Sequence, residues 1–291
     1  MRRAVSALSG AALLLAGAAQ AADLPSGLLE REAASAGRED VATSGFESAP
    51  DAASADDTTE LKISGGGLFT GGNSRALALT SSTRFRLRRG RNQLSSAVAA
   101  NYGEAASEGD EERRANVENV QGKLRYDRFL AERVALFIAE SALRDRFQGL
   151  ALRLNLDPGL AYYLLETPKH RLWGEAGYDL QYDFRSDDAV LAALRQGSTL
   201  TRTRLQHSGR LFAGYANTLR EALAFELGLE LLQSITERRH FRLAWNAGLT
   251  SRIAGNFSVA TTFDLRYDHA PLPDVERTDY ASAVSLVYQL F

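Results

Sequence analysis

A long alternation of apolar and polar residues with a period of two constrains this chain more than any other feature. In "LALRLNLDPGLAYYL" (150–164), leucine or tyrosine occupies most even positions, whereas Arg153, Asn155 and Asp157 occupy odd ones. Successive side chains of an extended strand point to opposite faces, so this spacing predicts a strand with one apolar and one polar face. The apolar face must contact either a protein core or lipid.

The same alternation recurs from residue 59 onward, with turn residues between the repeats. It predicts about twelve strands, at 60–71, 74–89, 92–103, 114–129, 133–147, 149–165, 169–185, 202–217, 220–235, 239–252, 255–268 and 278–291. Strands of globular proteins cluster near five or six residues, whereas a tilted strand needs about 9–11 residues to cross a bilayer. The length of the predicted strands therefore favours lipid.

The predicted connections alternate between long and short. The long ones lie at 103–114, 185–201 and 269–278, and the short ones at 89–92, 130–133, 166–170, 217–221 and 253–256. Long loops on one side and tight turns on the other are typical of outer-membrane barrels. Because unpaired backbone groups are costly in lipid, the first and last strands must also pair. The sequence predicts an all-β fold, a transmembrane antiparallel β-barrel of about twelve strands over residues 60–291, with both ends on the short-turn, periplasmic side.

The N-terminal segment resembles a secretory signal peptide. Arg2 and Arg3 precede an apolar run, and Ala19-Gln20-Ala21 fits a small-x-small cleavage pattern. We expect cleavage after Ala21, which takes the formal charge from −2 to −4. A net-acidic chain argues against non-specific nucleic-acid binding.

Residues 22–59 differ in composition from everything that follows. They are rich in Ala, Ser, Gly and acidic residues, with Phe46 as their one aromatic residue. Such a segment buries too little apolar surface to offset the entropy of ordering. It is predicted to be a disordered acidic linker.

The polar face of the predicted strands carries charge along its full length. The candidates for lining the lumen are Arg84, Arg86, Arg88, Lys123, Arg125, Glu140, Arg153, Glu175, Asp179, Asp183, Arg210, Glu226, Glu230, Asp264 and Arg266. Arginines that face carboxylates could set a transverse field that sorts charged solutes. Alternatively, these charges pair across the interior and fill it. Both interpretations stay open at this point.

The aromatic residues are predicted to lie mostly on the outward face, many toward strand ends. Phe129, Phe137, Tyr162 and Tyr178 belong to this set. Aromatic side chains at both ends of a lipid-facing band form the interface girdles of membrane barrels.

Sequence signals for catalysis are weak. The chain has no cysteine, and neither G-x-S-x-G nor H-E-x-x-H occurs. The histidines fall mostly in or beside predicted connections. No catalytic, cofactor-binding or metal site is predicted, and the chain is expected not to be an enzyme.

Several segments resemble a family of unknown function known as salt-induced outer membrane proteins. They are "ISGGGLFTGGNSRALALT" (63–80), "YDRFLAER" (126–133), "RDRFQGLALRL" (144–154) and "RYDHAPLPDVERTD" (266–279). The resemblance covers about residues 60–291 and implies an outer-membrane barrel. It supplies no functional residues.

The C-terminal residue Phe291 is the expected insertion signal, because such barrels usually end in an aromatic residue. Tyr288 stands three residues before it, whereas the usual spacing is two. The expected partners are therefore the barrel-assembly machinery together with outer-membrane lipid and lipopolysaccharide.

The expected location is the outer membrane of a Gram-negative bacterium. The expected role is a structural one in the envelope, or a narrow passive pore for small solutes. A lipid-modifying enzyme of the outer membrane and a soluble periplasmic ligand-binding barrel are the alternatives.

Overall fold

The structure is a computed structural model that describes residues 57–70, 75–106, 114–197, 199–220, 222–271 and 277–290. The predicted signal peptide, nearly all of the predicted linker and Phe291 lie outside these residues.

The described residues form twelve strands and one helix. They are β1 (Thr59–Thr70), β2 (Arg75–Arg89), β3 (Asn92–Ala106), β4 (Arg114–Ala131), β5 (Val134–Asp145), β6 (Leu150–Glu166), β7 (His170–Arg185), α1 (Asp187–Arg195), β8 (Thr203–Arg220), β9 (Leu223–Ser234), β10 (Phe241–Ala254), β11 (Phe257–Asp268) and β12 (Thr278–Gln289). The described residues include no helix that is long and apolar enough to span a membrane.

The strands close into one antiparallel barrel. Each strand pairs with its neighbours in sequence, and β1 pairs with β12 through contacts such as Ile63 with Tyr288 and Gly65 with Leu286. Closure gives the edge of the first strand a partner along this seam, as the cost of unpaired backbone groups requires. The predicted fold, an all-β closed antiparallel barrel of about twelve strands, is confirmed.

The two-residue period separates an inner from an outer face. On β5, Ala135, Phe137 and Ala139 are buried inside the barrel, whereas Leu136 and Ile138 are 47% and 44% exposed on the outside. The hydrophobic core of this molecule therefore lies inside the ring of strands rather than between two layers.

The leucines at even positions of strand β6 follow this pattern apart from the first. Leu154, Leu160 and Leu164 are exposed on the outer face, but Leu150 is buried. The register of β6 against β7 shifts between Leu150 and Leu152. Because a one-residue shift moves a side chain to the opposite face, Leu150 does not share the outer face with the other leucines.

The helix α1 lies within a segment that the sequence pattern predicted as a long loop. The backbone N–H of Ala189 donates to Ser186 Oγ at 3.2 Å, which caps the helix. Asp187 and Asp188 lie in the first turn and Arg195 in the last, where their charges complement the helix dipole. The capping serine and acidic first turn are the local signal that period-two reasoning overlooked.

The predicted end of the linker already belongs to the ordered barrel. Thr59 begins β1, and Asp57 Oδ1 accepts a hydrogen bond of 2.6 Å from the backbone N–H of Gly90, in the turn between β2 and β3. Arg89 Nη1 donates to the carbonyl oxygen of Thr58 at 3.0 Å. These contacts fix the entry of the chain beside a tight turn.

Two glycines bring β6 and β7 unusually close to their neighbours. A Cβ at Gly159 would lie 2.4 Å from the Phe137 ring, and a Cβ at Gly177 would lie 2.6 Å from the carbonyl oxygen of Pro158. Any larger residue at these positions would push either an inward aromatic ring or the neighbouring backbone.

We predict that Gly177→Ala lowers the free energy of unfolding by about 1–3 kcal/mol, because the added methyl group meets rigid backbone. Gly209→Ala is the matched control, since no atom lies within 4 Å of its added Cβ; we expect a change below about 0.5 kcal/mol. Urea unfolding in detergent micelles, followed by tryptophan fluorescence, measures both. Equal stability of the two variants would contradict the close approach.

Candidate functional site

The interior of the barrel holds nearly all the charged residues that the sequence pattern placed there. Arg84, Arg86 and Arg88 share the inner face of β2, and all but one of the other candidates lie on the inner faces of β4, β6 to β9 and β11. Glu140 is the exception. It is exposed on the outer face of β5 between Leu124 and Leu156, because its even position follows Leu136 and Ile138. Its assignment to the lumen was wrong.

Four of these candidates, together with Asp127, form a continuous chain of ion pairs. We call it the central ion network: Arg125, Asp127, Glu175, Arg210 and Glu230. The Arg125 guanidinium donates to Asp127 Oδ1 at 2.7 Å and to Glu175 Oε1 at 2.9 Å. Arg210 donates from Nη1 to Glu175 Oε2 at 2.8 Å and from Nε to Glu230 Oε1 at 2.7 Å. Glu175 thus bridges two arginines, and the network links β4 to β7, β8 and β9.

The central ion network is almost completely removed from water. The side chains of Arg125 and Glu175 are each 1% exposed, and that of Arg210 is 2% exposed. Buried ions require paired, hydrogen-bonded partners, because desolvation of an isolated charge is costly. These residues therefore fill and cross-link the interior.

Below this network, toward the short-turn end, lies an inner aromatic cluster: Phe129, Phe137, Tyr163, Trp173 and Phe212. Phe129 and Tyr163 stack with their ring centroids 5.9 Å apart, and Trp173 packs against Phe212 at the same distance. The Phe137 ring lies 4.1 Å from the Arg125 guanidinium carbon, and Phe129 lies 3.9 Å from that of Arg88. These cation–π contacts join the charged and aromatic layers.

Sequence reasoning misplaced part of this cluster. Phe129 and Phe137 were expected in an outer girdle, but both face inward. Their odd numbers place them on the same strand faces as Arg125, Asp127 and Ala139. The odd positions alone predict that both rings face inward, whereas the expectation of an aromatic girdle placed them on the outer face.

The opposite side of the interior is lined by small side chains, which we call the small-residue wall: Ser64, Gly66, Gly248, Ala260 and Thr262. Each of them is only half-buried, whereas inward residues of β4 and β5 are fully buried. Thr262 lies between Gly248 of β10 and Ala283 of β12. Water-accessible space in the barrel therefore lies beside β1, β10 and β11.

A cavity occupies the long-loop half of the barrel. Its empty volume is about 1080 Å³, including space that is open to solvent. Charged residues of both signs line it: Arg153, Asp157, Asp179, Glu230, Arg242, Arg266, Asp268, Arg277 and Asp279. Arg153 forms a two-point contact with Asp183, at 2.7 and 2.9 Å, which anchors this side of the cavity wall.

Three of the four histidines contact tyrosine hydroxyl groups, whereas His240 contacts Glu237 and Arg204. His207 Nδ1 contacts the hydroxyl of Tyr178, and His170 Nδ1 lies 2.9 Å from that of Tyr215. Among the described residues, no group of three or more His, Asp or Glu side chains is arranged to hold a metal ion.

We predict that Arg210→Met lowers the free energy of unfolding by about 3–5 kcal/mol, because it removes the guanidinium that donates to two buried carboxylates, Glu175 and Glu230. Arg146→Met is the control. It removes an exposed pair with Glu118 at 3.0 Å, and such pairs contribute less than about 1 kcal/mol. Urea unfolding in detergent compares the two. A small effect of Arg210→Met would show that the central ion network is not structural.

Three solved structures show a weak likeness to this barrel. A NanC porin is 10% identical with a TM-score of 0.45, covering 79% of this chain and 96% of its own. An outer membrane channel from Pseudomonas putida F1 is 12% identical with a TM-score of 0.43, covering 86% and 99%. The translocator domain of the autotransporter NalP from Neisseria meningitidis is 11% identical with a TM-score of 0.42, covering 79% and 86%.

No curated protein is significantly similar to this chain in sequence. The family model described as "Protein of unknown function, DUF481" matches residues 63–290, which is nearly the whole of the barrel. The family resemblance seen in the sequence is thereby confirmed, while the salt-induced description stays a prediction. The chain belongs to this DUF481 family of proteins of unknown function.

Proposed function

We propose that this barrel spans the outer membrane of a Gram-negative bacterium and provides a narrow passive path for small hydrophilic solutes. The observation that carries the proposal is that apolar side chains are exposed on the outside while charged side chains are buried inside, the reverse of a soluble protein. On the outer face, Val98 and Leu211 are 56% and 55% exposed, whereas Arg125 inside is 1% exposed. A soluble barrel would leave this apolar exterior in water, where contiguous patches of that kind are rare.

Aromatic side chains at both ends of the apolar exterior support the same placement. Tyr126 and Tyr162 are exposed near the short-turn end, and Tyr102 and Tyr280 near the long-loop end. Such rings are favoured at the boundary between hydrocarbon and headgroups. Outer-membrane lipid and lipopolysaccharide are therefore the proposed surroundings, and assembly machinery the proposed route of insertion.

The arrangement of the strands supports an orientation. Both the start of β1 and the end of β12 lie at the end of the barrel with the tight turns. In outer-membrane barrels this end faces the periplasm, and the longer loops face outward. The long-loop cavity therefore opens toward the outside in this proposal.

The solute path follows the small-residue wall. The central ion network and inner aromatic cluster fill the side formed by β4 to β9, so the open space lies off-centre. A path lined by glycine and other small residues on one side, and by paired charges on the other, suits small hydrated solutes. Its width depends on the small size of the wall residues.

Glu140 provides a test of the lipid placement. We predict that Glu140→Leu raises the free energy of unfolding in phospholipid vesicles by about 1–2 kcal/mol, because it removes a carboxylate from the lipid-facing band. Glu132→Leu, in the exposed turn between β4 and β5, is the control and should have little effect. A barrel whose outside contacts water would give no difference between the two variants.

A pair of neighbouring threonines tests the path itself. Thr262 belongs to the small-residue wall on the inner face, whereas Thr261 faces outward. In planar bilayers, we predict that Thr262→Trp lowers the single-channel conductance to less than about half, because an indole fills the space that the small wall residues leave open. Thr261→Trp should leave it unchanged. A wild-type barrel with no conductance, or equal conductance of the two variants, would contradict the proposed path.

A further inference from the structure

The long-loop cavity has a carboxylate-rich floor. Asp157 of β6 and Asp179 of β7 each lie four residues deeper along their strand than Arg153 and Asp183. Glu230 of β9, which belongs to the central ion network through its contact with Arg210, also lines the cavity. Acids from three separate strands therefore converge at the bottom of one cavity.

Two of these three carboxylates have partners on the protein. Asp179 accepts a hydrogen bond of 2.5 Å from Asn155 Nδ2, and Glu230 accepts one of 2.7 Å from Arg210 Nε. Asp157 differs from them. Its Oδ1 atom is buried and has no hydrogen-bond partner among the described residues. A buried acceptor that lacks a donor is a costly arrangement.

An unmatched donor lines the same cavity. Arg242 Nε is buried and lacks a hydrogen-bond partner within the described ranges, and its Nη2 lies 3.5 Å from Asp179 Oδ2, which is long for a charged pair. Among the described residues, one cavity is thus lined by a carboxylate and a guanidinium that each keep a buried atom without a hydrogen-bond partner. A ligand that satisfies both needs a cationic donor at one end and an anionic acceptor at the other.

We infer that the long-loop cavity binds a small zwitterion, with the ammonium group at Asp157 and the carboxylate at Arg242. Free amino acids are the chemical class that fits. The ammonium pairs with the carboxylate of Asp157, and the ligand carboxylate pairs with the guanidinium of Arg242. This inference deepens the proposed function, because it rests on small solutes reaching the interior and names their class.

The charge of Asp157 is unfavourable for the empty protein, because its Oδ1 atom is buried without a hydrogen-bond partner among the described residues. Asn at this position keeps the shape and removes one of three neighbouring negative charges. Asp157→Asn should therefore fold at least as well as the wild type while losing the ligand's main partner. A purely structural carboxylate would give the opposite result, a less stable variant.

The test is equilibrium binding to the full-length mature barrel in detergent, by calorimetry, with ω-amino acids from glycine to 5-aminovalerate as probes. Acetate and methylamine each lack one of the two charged groups. We expect at least one amino acid to bind at least tenfold more tightly than either, and Asp157→Asn to lose at least tenfold in affinity. The chain length that binds best reports the separation of the two charged groups.

Asp264→Asn is the matched control, because Asp264 lies on the inner face of β11 outside the cavity lining. It should bind like the wild type. Equal affinities of Asp157→Asn and wild type, or binding of Ca²⁺ without binding of any amino acid, would overturn the inference. Binding in detergent needs no conductance, so a barrel that binds amino acids but carries no current would overturn the path and leave this inference standing.

Discussion

The structure depends on the pairing of backbone N–H and C=O groups around a closed ring of strands. Hydrocarbon offers these groups no hydrogen-bond partner, so a sheet placed in lipid cannot keep an open edge. The seam from Lys62–Gln289 to Gly66–Ser285 joins the first strand to the last. Closure also means that alternate side chains of each strand point inside or outside the barrel. The charged and aromatic clusters of the interior and the apolar outer surface both follow from this division.

Inside the ring, the polar residues have two roles. Arg125, Glu175, Arg210 and Glu230 satisfy one another and, with the aromatic rings beneath them, fill one side of the barrel. For these residues, the interpretation of paired charges that fill the interior agrees with their contacts. Asp157 and Arg242 line a solvent-connected cavity, and each has one buried polar atom without a hydrogen-bond partner among the described residues. The division suggests a rigid structural side and a side adapted to solutes.

The strands were predictable from sequence because the period of two is a direct consequence of strand geometry. Prediction was wrong where that period slips or competes with another signal. A register shift buries Leu150, and a capped helix replaces part of a long loop. Phe129 and Phe137 lie inside because parity outweighs the tendency of aromatic residues to form girdles.

The site was less predictable than the fold. Parity placed Arg125 and Glu175 on the inner face, but the partner of each depends on which strands lie opposite across the barrel. Glu175 contacts residues fifty and thirty-five positions away in sequence. Such pairs follow from barrel size and stagger, which a single sequence does not specify. Glu140 shows the converse error, a charge assigned inward by its chemistry against its parity.

The most direct test of the central claim measures which side chains contact hydrocarbon. The chain has no cysteine, so single cysteines at each position of 135–142 can carry spin labels in the barrel reconstituted into phospholipid bilayers. The account predicts that labels at even positions collide strongly with apolar oxygen and weakly with an aqueous nickel complex, in alternation with the odd positions. Labels at Leu136 and Ile138 that prefer the aqueous reagent would contradict it.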